Sequence, residues 1–214
     1  MHRVALVLIV FAGAVAVAAQ ASDPVRCIPD SPERKGGTGC SIVGHKPVAL
    51  DSRETLYWHI DRCTSADSAQ AAATPSSVAF EAHGVAWLTT VEPQTTNHRG
   101  GTHVAVVGPL PLPASAAGFM MQVMSAHFMP GQVSEPHTHS GPEAWFVVAG
   151  EQCLETPDRA IRVKSGQTAM IEAGPAMRLV GTGTGPRRAL VLIVHDAAQP
   201  ATTMTRGAML VPCS

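Results

Sequence analysis

Short apolar runs, separated by glycine and proline, dominate the chain from residue 119 onward. They cover residues 119–129, 144–148, 168–172, 177–180 and 189–195. Short strands with turn residues at every roughly ten positions are typical of an antiparallel barrel or sandwich. No helical period is sustained in this part of the chain. The pattern therefore predicts a mostly β fold.

The first half of the chain has a mixed pattern. Residues 22–50 are rich in proline, glycine and charge, and we expect an irregular segment there. Residues 56–60, 78–82 and 85–91 predict strands, and a turn at His83-Gly84 joins the last two. The alanine-rich residues 65–73 predict a helix, because a Ser or Thr at the start of such a segment can cap it. Three closely spaced prolines indicate a boundary near residue 113.

The N-terminus has the pattern of an export signal. Arg3 precedes an apolar run over residues 4–19, which is shorter than the roughly 20 residues that a membrane-spanning helix needs. The run ends in Ala19-Gln20-Ala21, a small-x-small cleavage pattern. We therefore predict a signal peptide and an exported protein, either periplasmic or extracellular. The alternative is an anchor that stays uncleaved.

These patterns divide the chain into four parts. We expect a signal peptide at 1–21, a small α+β appendage of unknown role at 22–113, a β-barrel at 114–200 and a C-terminal tail at 201–214. The net charge is −1 and the pI about 6.8, without any basic block. A nucleic-acid partner normally requires such a block, so we expect none. We also expect no membrane contact after signal cleavage.

The chain has five cysteines, at positions 27, 40, 63, 153 and 213. In an oxidising compartment, two disulfides and one free thiol can form, in several arrangements. Cys27 and Cys40 flank a turn-rich loop and are the easiest pair to justify. The alternative is that some cysteines are small buried apolar residues.

The segment 131–150 contains a group of potential metal ligands. His137 and His139 are two positions apart, so on a strand their side chains share a face. The sequence Ser140-Gly141-Pro142 predicts a turn, after which Glu143 opens the next strand and can face the same point. Two neutral imidazoles and one carboxylate form a three-ligand set with open positions. The alternative is a pair of unrelated surface histidines beside a loop.

This segment resembles the first motif of the cupin superfamily, Gly-x5-His-x-His-x3-Glu-x6-Gly. Every defined position matches: Gly131, His137, His139, Glu143 and Gly150. The resemblance covers about residues 119–196. It implies a cupin-type antiparallel jelly-roll barrel in which His137, His139 and Glu143 bind a divalent transition metal, with iron or manganese expected first.

The second cupin motif, Gly-x5-Pro-x-Gly-x2-His-x3-Asn, is matched only at its glycines, Gly166 and Gly174. Glu172, Met177 and Gly181 stand where proline, histidine and asparagine are expected. A thioether is a soft, neutral and weak ligand. Three interpretations stay open: an iron or manganese centre with Met177 only packing nearby, a copper site with Met177 as a ligand, or a metal-free ligand pocket.

These observations favour an exported, metal-dependent cupin that acts on a small organic molecule as an oxygenase or isomerase. The alternative is a non-catalytic cupin that binds a small molecule or a metal, including copper through Met177. Whether the protein is an enzyme stays open, because cupin folds carry many unrelated activities. We expect a small-molecule ligand or substrate as partner, with a homodimer as one possible assembly.

The export signal gives a direct test. N-terminal sequencing of the exported protein should begin at Ser22, because the cleavage pattern ends at Ala21. A mature protein that stays in the cytosol and retains Met1 would contradict this prediction.

Overall fold

A computed structural model describes residues 27–29, for which only the backbone is considered, 37–94 and 100–213. Within these ranges the chain is almost entirely β. The elements are β1 (Cys27–Pro29), β2 (Gly39–Val48), β3 (Leu56–Cys63), α1 (Ala66–Ala72), β4 (Ser77–Ala82), β5 (Val85–Pro93), β6 (Thr102–Val107), β7 (Phe119–Phe128), β8 (His137–His139), β9 (Glu143–Ala149), β10 (Glu151–Glu155), β11 (Ala160–Lys164), β12 (Thr168–Ile171), β13 (Arg178–Thr182), β14 (Arg187–Asp196) and β15 (Thr202–Met204).

The barrel is formed by one large sheet and two small ones. The large sheet has the strand order β1-β2-β7-β14-β9-β12, and the smaller sheets are β11-β10-β13 and β15-β8. Side chains of the large sheet, such as Met124 and Val191, pack in one cluster with Leu154 and Leu179 of the three-stranded sheet. The predicted mostly β, jelly-roll fold is therefore confirmed.

The long central strands β7 and β14 are buried on both faces. They pair antiparallel over ten residues without a register shift. On β7, Met124 and Phe128 face the inside of the barrel, whereas Met121 and Val123 pack against the other half of the molecule. A strand buried on both faces reads as a nearly continuous apolar run, which is the pattern that the sequence shows here.

The expectation that residues 22–50 are irregular is wrong for residues 39–48, which form β2. This strand pairs antiparallel with β7 and joins the barrel sheet, with a register shift between Ile42 and Gly44. Glycine at position 44 has a packing reason, because a Cβ there would lie 2.6 Å from a methyl group of Val78 on β4. Polar residues and a bulge hide the strand pattern in the sequence.

A four-stranded sheet, β4-β5-β3-β6, covers the outer face of the barrel sheet. The predicted strands in residues 56–60, 78–82 and 85–91 and the helix in 65–73 are confirmed, and Ser65 caps the helix in a capping box with Ser68. The turn at His83-Gly84 is also confirmed, with both residues at positive φ. Strand β6 was not predicted.

The predicted domain boundaries at 113/114 and 200/201 stay predictions. Two strands from outside the range 114–200 nevertheless pair with strands inside it. Strand β2 lies beside β7, and β15 pairs with β8. The predicted signal peptide at 1–21 lies outside the described residues. Within the described parts of the chain, we find no helix of sufficient length and apolarity for a membrane span.

Among the cysteines whose side chains the structure describes, three are disulfide-bonded and one is free. Cys153 and Cys213 form a disulfide that closes a separation of 60 residues, and Cys40 is also disulfide-bonded. Cys27 is the backbone partner of Cys40 in the parallel pairing of β1 with β2. The Cys27 side chain lies outside the described residues, so the predicted pair stays a prediction. Cys63 is a free, buried thiol whose Sγ donates to the Gly100 carbonyl oxygen.

The bond between Cys153 and Cys213 should contribute measurably to stability. Replacing Cys213 by Ser opens a long loop in the unfolded chain and should lower the free energy of unfolding by about 2–4 kcal/mol. Denaturant titration of the oxidised protein measures the change. Cys63→Ser is the matched control, because a hydroxyl can also donate to Gly100. An equal loss in both variants would contradict the prediction.

Candidate metal centre

The short strand β8 fixes His137 and His139 on one face, and both side chains are buried. One edge of β8 pairs with β15, so that His139 lies opposite Thr202 and His137 opposite Met204. On the other side, the His137 amide donates to the Met177 carbonyl at 3.0 Å, and the Met177 amide donates back at 2.8 Å. Backbone pairing on both edges therefore holds the two imidazoles in place.

Glu143 reaches the same point from the first position of β9. The turn at residues 140–142 packs so tightly against β14 that a Cβ on Gly141 would overlap the Val194 carbonyl and lie 2.7 Å from the His195 Cα. Glu143 itself is held between Ile193 of β14 and Ile171 of β12. The predicted turn and the strand that follows it thus place the carboxylate beside the histidines.

The three predicted ligands converge. One ligand atom from each of His137, His139 and Glu143 lies within 4.8 Å of the others. The closest pair is His139 Nε2 and Glu143 Oε2, at 2.9 Å. The two imidazole rings meet edge to face with centroids 4.8 Å apart. These residues form a group that could hold a metal ion.

Backbone carbonyls orient both rings. His137 Nδ1 donates to the Glu135 carbonyl oxygen at 2.6 Å, and His139 Nδ1 donates to the Ala201 carbonyl oxygen at 2.9 Å. The proton on each Nδ1 leaves the Nε2 lone pair free for the site, the arrangement that metal-binding histidines commonly have. The sequence could not identify these partners, because main-chain acceptors carry no residue signature.

The contact between His139 and Glu143 requires a positive charge. Nε2 and Oε2 lack hydrogen-bond geometry with each other, and neither atom has another hydrogen-bond partner among the described residues. Two lone pairs at 2.9 Å repel unless a proton or a cation lies between them. Ligand atoms at about 2.0–2.2 Å from one ion and at right angles to each other are about 3 Å apart. The residues therefore fit a transition metal.

Protons compete for this site when no metal is present. Burial lowers the pKa of His139, but the nearby Glu143 carboxylate outweighs burial, so the pKa is raised overall. Burial is also the main influence on His137, and there it lowers the pKa despite the opposing charge of Glu143. Protons therefore compete with a metal ion more strongly at His139 than at His137.

The group lies at the wall of a cavity of about 330 Å³ inside the barrel. Most of the lining is apolar and includes Met124, Phe128, Trp145, Leu179, Val191 and Ile193. Besides the three residues of the group, two described charged side chains line this cavity, Glu135 and Arg187. A cavity of this size with few polar groups is typical of small-molecule sites.

Met177 lines the same cavity and is almost completely buried. It sits beside His137 through the reciprocal backbone hydrogen bonds of the bridge. The position that the second motif assigns to a ligand histidine is thus close to the group in space. Whether the thioether contacts a metal stays a prediction.

Comparison with known proteins identifies the barrel. Residues 124–193 match the sequence profile of the family described as Cupin domain, whereas a search of curated proteins gives no match. A double-stranded β-helix protein from Klebsiella pneumoniae subsp. pneumoniae MGH 78578 is 20% identical over 45% of this chain and 81% of that protein, with a TM-score of 0.36.

Two enzymes of known structure are similar at the same level. An oxalate oxidase in complex with the substrate analogue glycolate is 21% identical over 41% of this chain and 46% of its own, with a TM-score of 0.34. The DMSP lyase DddQ from Ruegeria pomeroyi DSS-3 is 19% identical over 50% of this chain and 48% of its own, with a TM-score of 0.36. This chain thus spans about half the length of either enzyme. Similarity at this level does not assign an activity to this chain.

The turn before Glu143 offers a test of the site that changes no ligand. Replacing Gly141 by Ala should push the turn away from β14 and displace Glu143, with a loss of about 10- to 100-fold in metal affinity. Titration of metal-free protein with zinc measures the loss. Gly185→Ala is the control, because nothing lies within 4 Å of a Cβ there. Unchanged affinity in Gly141→Ala would contradict the prediction.

Proposed function

We propose that this member of the cupin superfamily is an exported metal-dependent enzyme that acts on a small organic molecule. His137, His139 and Glu143 would hold a divalent transition metal, with iron or manganese as the first candidates. An oxygenase or an isomerase reaction suits this site. The observation that carries the proposal is the unpartnered pair of His139 Nε2 and Glu143 Oε2, 2.9 Å apart at the wall of an apolar cavity.

Three ligands leave coordination positions open. A metal in a set of two histidines and one carboxylate can take up further ligands from the cavity side. When bound, such a metal supplies a Lewis acid and, in the case of iron or manganese, a redox centre. A site that served only to stabilise the fold would be closed by four protein ligands. The open set therefore favours chemistry over a structural role.

The chain's own residues prepare the site in two ways. The carbonyls of Glu135 and Ala201 hold the imidazoles in the tautomer that exposes Nε2, so no rearrangement is needed on binding. The walls at Trp145, Val191 and Ile193 restrict water around the ligand group. Charges beside these apolar walls interact more strongly than they would in solvent, because the local dielectric constant is lower.

Compartment is part of the proposal. Cys153 and Cys213 form a disulfide. Disulfides are common in exported proteins and rare in reducing compartments. Together with the cleavage pattern at Ala21 in the sequence, this disulfide supports export. The metal site would then load outside the cytosol.

Met177 favours a second candidate function. Its thioether lines the cavity where the cupin motif has a histidine, and sulfur ligands favour Cu(I) over the harder divalent ions. In this alternative, the protein is a non-catalytic cupin that binds a small molecule or a metal. The two functions predict different metal preferences and different effects of substitutions at position 177.

Metal titration of substitution variants separates the two functions. His137→Ala removes a principal ligand and should abolish binding of Fe(II), Mn(II) and Zn(II). Met177→Ala should change their affinity by less than about tenfold if the thioether only packs, and Met177→His should tighten binding by adding an imidazole. If copper is the native metal, Met177→Ala should selectively lose Cu(I). Each variant is titrated from the metal-free state.

The outcome decides between three interpretations. A wild type and a Met177→His variant that both fail to bind any metal above micromolar affinity would show that the metal centre is wrong. If metal binds, the loaded protein is incubated with small-molecule extracts and followed by mass spectrometry, with His137→Ala as the matched control. Conversion of a compound by wild type alone supports the enzyme. No conversion with any of the metals favours the binding protein.

A further inference from the structure

The cavity contains a second charged element at a distance from the metal ligands. Arg187 opens β14, is 0% exposed and lines the cavity. It is paired with Phe128 of β7, whereas Ile193, on the same face of β14, is paired with Glu143. Six residues of extended strand separate the two positions, about 20 Å between the Cα atoms. Arg187 therefore starts from the opposite end of the strand.

The guanidinium of Arg187 has more donors than the chain satisfies. The Arg187 Nε donates to Gln152 Oε1 at 2.6 Å, and the Arg187 Cζ lies 5.2 Å from the centre of the Phe128 ring. Both terminal nitrogens, Nη1 and Nη2, are buried without a hydrogen-bond partner among the described residues. The amide nitrogen of Gln152 beside them is also unpartnered. All three unsatisfied atoms are donors, so the missing partner is an acceptor.

The charge of Arg187 sharpens this requirement. Burial lowers the pKa of the guanidinium to about 9, which leaves it protonated at neutral pH. A buried charge without a counter-ion is costly, and no described carboxylate forms an ion pair with Arg187. The negative charge of Glu143 opposes this lowering of the Arg187 pKa, but the close contact of Glu143 itself is with His139. An anion from outside the chain would satisfy both the charge and the donors.

We propose that the cavity binds an organic carboxylate, held by the Arg187 fork, whose apolar body extends toward the His137–His139–Glu143 group. This deepens the proposed function by naming its substrate class, and the second half of the statement rests on that function. Two terminal nitrogens of one guanidinium match the two oxygens of a carboxylate in bidentate geometry. Apolar residues such as Met124, Trp145 and Val191 form most of the remaining cavity lining.

Inorganic oxyanions fit this place less well than a carboxylate. A phosphate carries up to two charges and more acceptor atoms, and the described cavity lining offers it one cation and few other donors. The aromatic ring of Phe128 and the aliphatic walls also favour a ligand with carbon atoms to bury. The site therefore selects a single carboxylate attached to an apolar group.

Neutral isosteres provide the test. The full-length exported protein is titrated with benzoate and hexanoate, and with benzamide and hexanamide as matched neutral compounds, by calorimetry and thermal shift. We expect the carboxylates to bind at least tenfold more tightly than their amides. Arg187→Met should abolish this preference, and Arg187→Lys, which keeps the charge but loses the fork, should retain only part of it.

A purely structural role of Arg187 gives a different result. Arg187→Met removes an unpaired buried charge, so in the absence of ligand it should be at least as stable as wild type. If it is strongly destabilised and wild type shows no preference for carboxylates over amides, the proposal is overturned. If Arg187→Met does not fold, the comparison of carboxylate with amide in wild type and in Arg187→Lys still decides. Sulfate binding as tight as that of the carboxylates would also overturn it, because the site would then be a general anion site.

The variant His137→Ala separates this inference from the metal centre. It should lose metal and keep its preference for carboxylates, because Arg187 lies at the other end of the cavity. Carboxylate binding in a wild type that binds no metal would leave the carboxylate site standing and remove the metal-dependent function. Metal binding without any preference for carboxylates would overturn the carboxylate site and leave the metal-dependent function standing.

Discussion

The antiparallel pairing of β7 with β14 is the interaction on which the rest of the structure depends. Ten residue pairs in unbroken register fix which side chains point into the barrel and which point out. A shift by one residue would turn Arg187, Val191 and Ile193 to the outer face and expose the cavity wall to the second sheet. Because both faces of these strands are buried, a shift in either direction would place polar side chains in an apolar core. Register is therefore specified from both sides.

The outer sheet gives the N-terminal half a clear structural task. Strands β3 to β6 cover the outer face of the barrel sheet with Trp58, Ile60 and Trp87, which pack in one cluster with Met121 and Val123 of β7. Without this sheet, a barrel whose central strands are apolar on both faces would expose a large hydrophobic patch to solvent. The cluster also explains why the apolar runs of residues 119–129 and 189–195 lack the alternation of a half-exposed strand.

The sequence predicted the barrel, the helix and the ligand group well, because these depend on local spacing. A single residue between the two histidines and a short turn before Glu143 are sufficient to bring the three side chains together. It failed for β2, because glycines and polar residues in this segment are typical of a loop and the strand forms only by pairing with β7. It also failed for Arg187, since a strand-opening arginine looks solvent-exposed. Only the tertiary fold shows that this residue is buried with unused donors.

The cavity has opposite chemical needs at its two ends. At one end, His139 Nε2 and Glu143 Oε2 face each other and need a proton or a metal cation between them, and at the other the terminal nitrogens of Arg187 lack an acceptor. Each unsatisfied buried polar group costs about 1–3 kcal/mol, and charged groups cost more. Unsatisfied polar groups at both ends of the cavity lower the stability of the fold. A barrel filled only with apolar side chains would avoid this cost. The two ends become complementary when a metal cation replaces the proton at the first and an anionic group occupies the second, with an apolar body between them. The unfavourable energy of the empty cavity is thus the same property that would make it selective for a ligand.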